Sequence, residues 1–232
     1  MSTNVDDLTG TSRVERVAEH NRRQQEAFAG SRLCRLLADD TTDPATKAAV
    51  TTYLQPWSDA FQRMITVRVE HETDPSLRAL AIDHRDDETG HNKLLAASRA
   101  HHGVDAPVVW DPVIEMGAAW IVDALRTLPG VLRAVLAHLA VESAALTFFT
   151  RVASTFPDDI YFQHHNDVDA EHVEMGYQVL RERTDWTEDE VVTLLDHAWQ
   201  VMTIVADRIA ERAVADAAGG TSAALAPARH RR

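Results

Sequence analysis

Three Asp-Pro pairs, Asp43-Pro44, Asp74-Pro75 and Asp111-Pro112, punctuate this chain of 232 residues. In each, the Asp carboxylate can accept from the free amide hydrogens of a helix's first turn. The Pro takes the first helical position, where no amide hydrogen is needed. Thr187 and Glu190 form a fourth start of the capping-box type, and Gly103, Pro129-Gly130 and Gly219-Gly220 supply stops. Between these marks apolar residues recur at three- and four-residue spacing. Val191, Leu194, Leu195, Ala198, Val201, Met202, Val205 and Ile209 do so in one segment, and Val131, Val135, Leu136, Leu139, Leu146 and Phe149 in another. No segment alternates as a strand does. The pattern predicts an all-α domain of seven or eight helices, at about 13–29, 31–39, 44–72, 75–102, 111–127, 130–154, 157–183 and 187–216. The polar residues 1–11 and the small-residue, then basic, residues 217–232 are expected to be disordered, leaving 12–216 as one helical domain.

Composition narrows the function classes. Acidic side chains outnumber basic ones 36 to 23, for a net charge of −13, which argues against a nucleic-acid partner. A single cysteine, Cys34, excludes a disulfide framework and any sulfur-based zinc or iron–sulfur site, and is expected to be a buried structural thiol. No run approaches 18 uncharged apolar residues and the N-terminus does not read as a signal peptide, so no membrane partner and a cytoplasmic setting are expected. Against this background 12 histidines stand out.

Two of them belong to His165-Asn-Asp-Val-Asp169-Ala-Glu-His172. Positions i, i+4 and i+7 of a helix share one face, so His165, Asp169 and His172 form a facial set suited to iron or manganese. The plainer reading is a polar stripe on an acidic helix. His84-Arg-Asp-Asp-Glu88-Thr-Gly-His91 repeats the same H-x3-(D/E)-x2-H spacing inside segment 75–102. Two such octets place a carboxylate three residues before a histidine on two helices, the arrangement of carboxylate-bridged di-iron bundles. A further carboxylate is at hand. Glu142 sits in Leu-Ala-Val-Glu-Ser-Ala-Ala-Leu, the most apolar stretch, where a bare charge cannot be buried and must be paired, protonated or metal-bound. His138, one turn earlier, is either its partner or an ordinary half-buried histidine.

The constellation resembles the haem-oxygenase-like di-iron oxidases and oxygenases, all-helical proteins that bind two irons rather than haem. Their pattern is a Glu and a His on an early helix, a lone Glu on a middle helix and H-x3-D-x2-H on a late one. The resemblance covers about residues 75–182. It implies a single haem-oxygenase-like helical bundle with Glu88, His91, Glu142, His165, Asp169 and His172 as metal ligands. Some members carry the early Glu seven residues before the His, where this chain has His84. Glu88, three before, takes the place, with Asp87 as the fallback. His84 is then a ligand, a nearby base or a surface residue, and Glu70 is a further candidate acid.

The resemblance implies an O2-activating, non-haem di-iron oxidase or oxygenase of specialised metabolism. Two iron ions would be its cofactors and O2 its co-substrate. Glu142 would bridge the irons or shift to open a position. The substrate would be a small amino-acid-derived or carboxylic acid, changed by N-oxygenation or oxidative C–C cleavage, and the protein would pair as a homodimer. Trp57, Phe61, Tyr53, Trp110, Trp120, Phe148, Phe149, Tyr161 and Phe162 are candidates to line a pocket, though plain core is the commoner fate of aromatics. Arg63, Arg68 and Arg151 are candidates to clamp a carboxylate. Three other readings stand beside this one: a ferritin-like iron-binding protein, a metal-free relative of the same fold acting on thiamine fragments or quinone-cofactor precursors, and a non-enzymatic helical interaction domain.

Overall fold

The structure, a computed structural model, describes residues 12–104 and 107–218, with the side chains of 164–169 outside that description. The expected ends, 1–11 and nearly all of 217–232, lie outside it too. The elements are α1 (Arg13–Ala29), α2 (Arg32–Ala38), α3 (Pro44–His71), α4 (Pro75–Glu88), α5 (His91–His101), α6 (Pro112–Thr127), α7 (Gly130–Val135), a π-helical segment (Leu136–Glu142), α8 (Ser143–Val152), α9 (Ile160–Glu182) and α10 (Glu188–Ala217). No strand occurs among the described residues.

Every start signal is used. Asp43, Asp74 and Asp111 accept amide hydrogens of the first turns of α3, α4 and α6, and Thr187 with Glu190 closes a capping box on α10. Two caps also tie helices together. Asp74 accepts from Arg183 Nη1 at 2.8 Å, and Asp111 from Arg208 Nε at 2.9 Å. The apolar stripes face inward as their spacing demands: Val135, Leu136 and Leu139 are buried, as are Val191, Leu195, Ala198 and Ile209. α10 packs against α1, α2, α3, α6 and the π segment, while α9 packs on α8 and the π segment. Gly130–Val152 runs as one continuous helix, long and apolar enough by length and composition to cross a membrane. Here 78% of its most apolar window is buried inside the protein, as a core helix.

Two helices depart from the simple periodic reading, and both departures shape the site. Segment 75–102 is not one helix. It breaks at Thr89-Gly90, where Gly90 holds φ at 96°, a left-handed conformation that other residues adopt only with strain. Gln62 of α3 stabilises the break from both sides, its Oε1 accepting from the Gly90 amide and its Nε2 donating to the Glu88 carbonyl, each at 3.0 Å. Among the described residues nine continuous helices result instead of seven or eight. Glu88 becomes the last residue of α4 and His91 the first of α5.

The second departure is the π segment, where an α-helix was expected. Its seven residues, His138 and Glu142 included, are all buried. Such wide turns are rare and cluster at functional sites. α9 crosses it at Gly176. A Cβ at that position would lie 2.8 Å from His138 Cβ and 2.7 Å from Leu139 Cδ2, so only glycine permits this approach. One turn before Gly176, α9 carries His172 toward Glu142.

Gly176→Ala is therefore expected to push α9 off the π segment, at the cost of about 1–3 kcal/mol typical of overpacking. Thermal unfolding should show Tm lowered by about 2–4 °C per kcal/mol for a chain of this size. An unchanged Tm would contradict this role for the glycine.

Candidate metal centre

Four buried side chains converge at the middle of the bundle: His84 and Glu88 of α4, Glu142 at the end of the π segment, and His172 of α9. One ligand atom from each lies within 4.8 Å of every other. Metal bonds of about 2.0–2.2 Å place opposite ligands about 4 Å apart, so the set needs only a small contraction to form a coordination shell. His91 joins from α5, with Nδ1 2.5 Å from Glu88 Oε2. His172 Nδ1 stands 3.3 Å from Glu88 Oε1 and 3.5 Å from Glu142 Oε2. Glu88 Oε1 and His172 Nδ1 are buried, and neither has a hydrogen bond of proper geometry. Both atoms are of a kind that can bind a metal, and neither is committed to a well-formed hydrogen bond.

The electrostatics balance without one. Burial alone would raise the Glu88 carboxyl, yet His172 and His91 hold it well below the usual carboxylate range. Burial likewise opposes ionisation of Glu142, but its contacts with His172 and His84 prevail and its pKa is lowered. His172 is driven the other way. Burial disfavours its charge, but Glu142 and Glu88 outweigh burial and push its pKa up to about 10. Two anions are thus matched by His172 and by a second cation, Arg68 of α3. Burial lowers Arg68 to about 10, which still leaves it charged at neutral pH.

Arg68 decides the state of His84. Its Nη1 donates to His84 Nδ1 at 2.9 Å, and His84 Nε2 meets Glu142 Oε1 at 2.9 Å. An arginine cannot accept, so His84 Nδ1 must be the acceptor and Nε2 carries the hydrogen given to Glu142. His84 is 1% exposed, which removes the surface reading of this residue. The ring of His138 packs 4.7 Å from that of His84. It is fully buried rather than half-buried, and both its nitrogens lack hydrogen-bond partners. Burial, then the nearby Arg68 charge, depress its pKa well below the ordinary value, so it is neutral.

Of the other candidates, Asp87 has a side chain 63% exposed and reaches His172 Nε2 only at 3.7 Å, leaving Glu88 as the early carboxylate of the cluster. Glu70 is exposed. His165 and Asp169 belong to α9, but their side chains lie outside the described residues. Cys34 is buried and its thiol is raised by that burial, consistent with a structural role. Sequence reading offered Arg68 only as one of three clamps for a substrate carboxylate. Its actual position beside His84 was signalled by a lone cation within Met64-Ile65-Thr66-Val67-Arg68-Val69.

Glu88, His91 and Glu142 also line a partly enclosed cavity of ≈ 100 Å³. Trp57, Phe61, Phe148, Phe149 and Tyr161 line it as proposed aromatics; Tyr53, Trp110, Trp120 and Phe162 do not. Arg63 and Arg151 are exposed and take no part in it.

No family model matches the chain. It is 28% identical over 194 residues to an uncharacterized protein of Rickettsia prowazekii (strain Madrid E), spanning 82% of this chain and 91% of that protein. Among solved structures it resembles a domain of unknown function with a heme oxygenase-like fold from Shewanella denitrificans. The TM-score is 0.70 at 17% identity, over 94% of this chain and 98% of that one. A TenA homologue from Pyrococcus furiosus has a TM-score of 0.69 at 10% identity, over 86% of this chain and 100% of that one. A TenA homolog from Pseudomonas syringae pv. tomato also has 0.69, at 11% identity, over 86% and 93%. The fold is therefore the haem-oxygenase-like, TenA-like helical bundle.

Because His172 holds its proton up to about pH 10, a metal ion entering at neutral pH must displace it. Calorimetric titration with Zn(II) in buffers of different ionisation enthalpy should show about one proton released per ion, and affinity that rises with pH. Heats independent of the buffer would contradict the assignment.

Proposed function

We propose that this protein is an O2-activating, non-haem di-iron oxidase or oxygenase. The observation that carries the reading is the buried clustering of Glu88 and Glu142 with imidazoles, Glu88 Oε1 and His172 Nδ1 without well-formed hydrogen bonds, beside a largely apolar cavity. The donor set fits iron, which is content with mixed imidazole and carboxylate ligands. Glu88 and Glu142 would be carboxylate ligands, and His91 and His172 neutral nitrogen ligands. His165 and Asp169 of α9 would complete the second ion. When bound, the two irons supply the electrons that reduce dioxygen.

The chain's own residues do the rest. Arg68 fixes the His84 ring, and His84 presents its Nε2 hydrogen to Glu142 Oε1, which orients that carboxylate and holds a proton beside it. His138, neutral, packs its ring against that of His84. The aromatic wall of the cavity would limit water around these carboxylates. A small organic substrate would enter through that cavity.

One observation favours a second reading, a metal-free relative acting on thiamine fragments, as the TenA names of two structural neighbours suggest. With Arg68 on Nδ1, His84 offers a hydrogen rather than a lone pair to the cluster. The two readings separate on metal content. After anaerobic reconstitution with Fe(II) and desalting, elemental analysis is expected to give two irons per chain, and Glu142→Ala and His172→Ala are expected to lose most of them. A chain that retains no iron, or variants that retain it fully, would favour the metal-free reading.

A further inference from the structure

Glu88 and His91 belong to different helices, so the turn between them sets their spacing. A Cβ at Gly90 would meet nothing within 4 Å, so packing does not require glycine there. What the position requires is its left-handed φ of 96°. The consequence of that turn is a contact: His91 Nδ1 lies 2.5 Å from Glu88 Oε2.

A helix break leaves carbonyl and amide groups without partners inside either helix. α3 meets them with a polar stripe, Gln55, Asp59 and Gln62, spaced i, i+4 and i+7 along one face. Gln62 donates to the Glu88 carbonyl and accepts from the Gly90 amide. Gln55 Nε2 donates to the Asn92 carbonyl at 3.1 Å and to Asp59 Oδ1 at 2.9 Å. Asn92 Nδ2 donates to the same Asp59 oxygen at 2.9 Å. Residues 88, 90 and 92 are thus all held by α3, and they bracket His91. The support is a 28-residue helix that packs on α4, α5, α6 and α10. Groups anchored to such an element are held more precisely than groups on a loop.

We infer that Gln62, with Gln55 and Asp59 beside it, is a positioning residue of the metal centre: it fixes the turn between Glu88 and His91 and so the spacing of these two ligands. The inference rests on the proposed function only for the role of the pair as ligands.

The test uses Gln62→Met, which keeps the length and helix propensity of the side chain and removes both hydrogen bonds. Zn(II) affinity is measured by calorimetry on the full chain, and the metal-free proteins are crystallised in the presence of a chelator. The variant is expected to bind Zn(II) about tenfold or more weaker than the natural chain. In its metal-free crystal structure the His91–Glu88 contact should open beyond hydrogen-bond reach, about 3.5 Å. A merely structural role would lower Tm and move neither reading. Combined with His91→Ala, the loss of affinity should be less than the product of the two single losses, because both act on one ligand pair. A retained contact, or losses that simply multiply, overturns the inference. If Gln62→Met does not fold, Gln62→Glu decides by the same readings, since it keeps the acceptor for Gly90 and loses the donor to Glu88. A natural chain that takes up no Zn(II) removes the metal reading, and the metal-free crystal structures then decide the clamp. An opened contact with unchanged Zn(II) affinity keeps the turn assignment and removes the pair from the ligand set, which overturns the positioning role.

Discussion

Glu88 and Glu142 sit together at the centre of an apolar bundle, 1% and 2% exposed. Two desolvated carboxylates side by side repel each other, and each has left the water that would stabilise it. Much of the surrounding architecture serves to make that pair tolerable. His84, His91 and His172 come within contact distance of one or both, and Arg68 places a fixed charge behind His84. The backbone irregularities serve the same pair. The left-handed Gly90 turns the chain so that His91 faces Glu88 from a different helix. The π segment ends on Glu142, and Gly176 lets α9 bring His172 close. A buried ionic cluster of this kind contributes little to stability by itself, because desolvation offsets most of the attraction. Its presence in the core points to use rather than to scaffolding.

Much of this was legible in the linear sequence where local chemistry carries the information. The Asp-Pro pairs and the Thr187–Glu190 box mark helix starts because capping involves only residues two or three apart. Glu142 was legible as a lone acid in an apolar run, and His91 and His172 by their spacing from acids. The break at Gly90 was less so. A glycine inside a periodic stretch is compatible with a continuous helix, and the decisive partner, Gln62, lies on another helix. The π turn leaves no recognisable mark in residue spacing. The role of Arg68 depends on a contact between α3 and α4, and the cavity on walls from helices far apart in the chain. Such features arise from tertiary packing, which periodicity does not encode.

The haem-oxygenase-like fold provides a frame shared by TenA homologues and by a domain of unknown function, and fold alone does not select a chemistry. What distinguishes chains on this frame is the inward face of a few helices. Here that face carries two carboxylates, three imidazoles in contact with them and an arginine that dictates one imidazole's hydrogen. A cavity walled largely by apolar side chains lies against Glu88, His91 and Glu142.

The proposed function requires Glu88 and Glu142 to be carboxylate ligands held ready for metal rather than members of a purely protein-bound ion network. Crystallography of the protein grown with Fe(II) under anaerobic conditions, with data collected across the iron absorption edge, tests it directly. Two anomalous peaks are expected, bonded to Glu88 and Glu142, with His91, His172 and the residues of segment 165–169 completing the shells. A map with no iron at these carboxylates, and with His172 still placed between them as it is without metal, would contradict it.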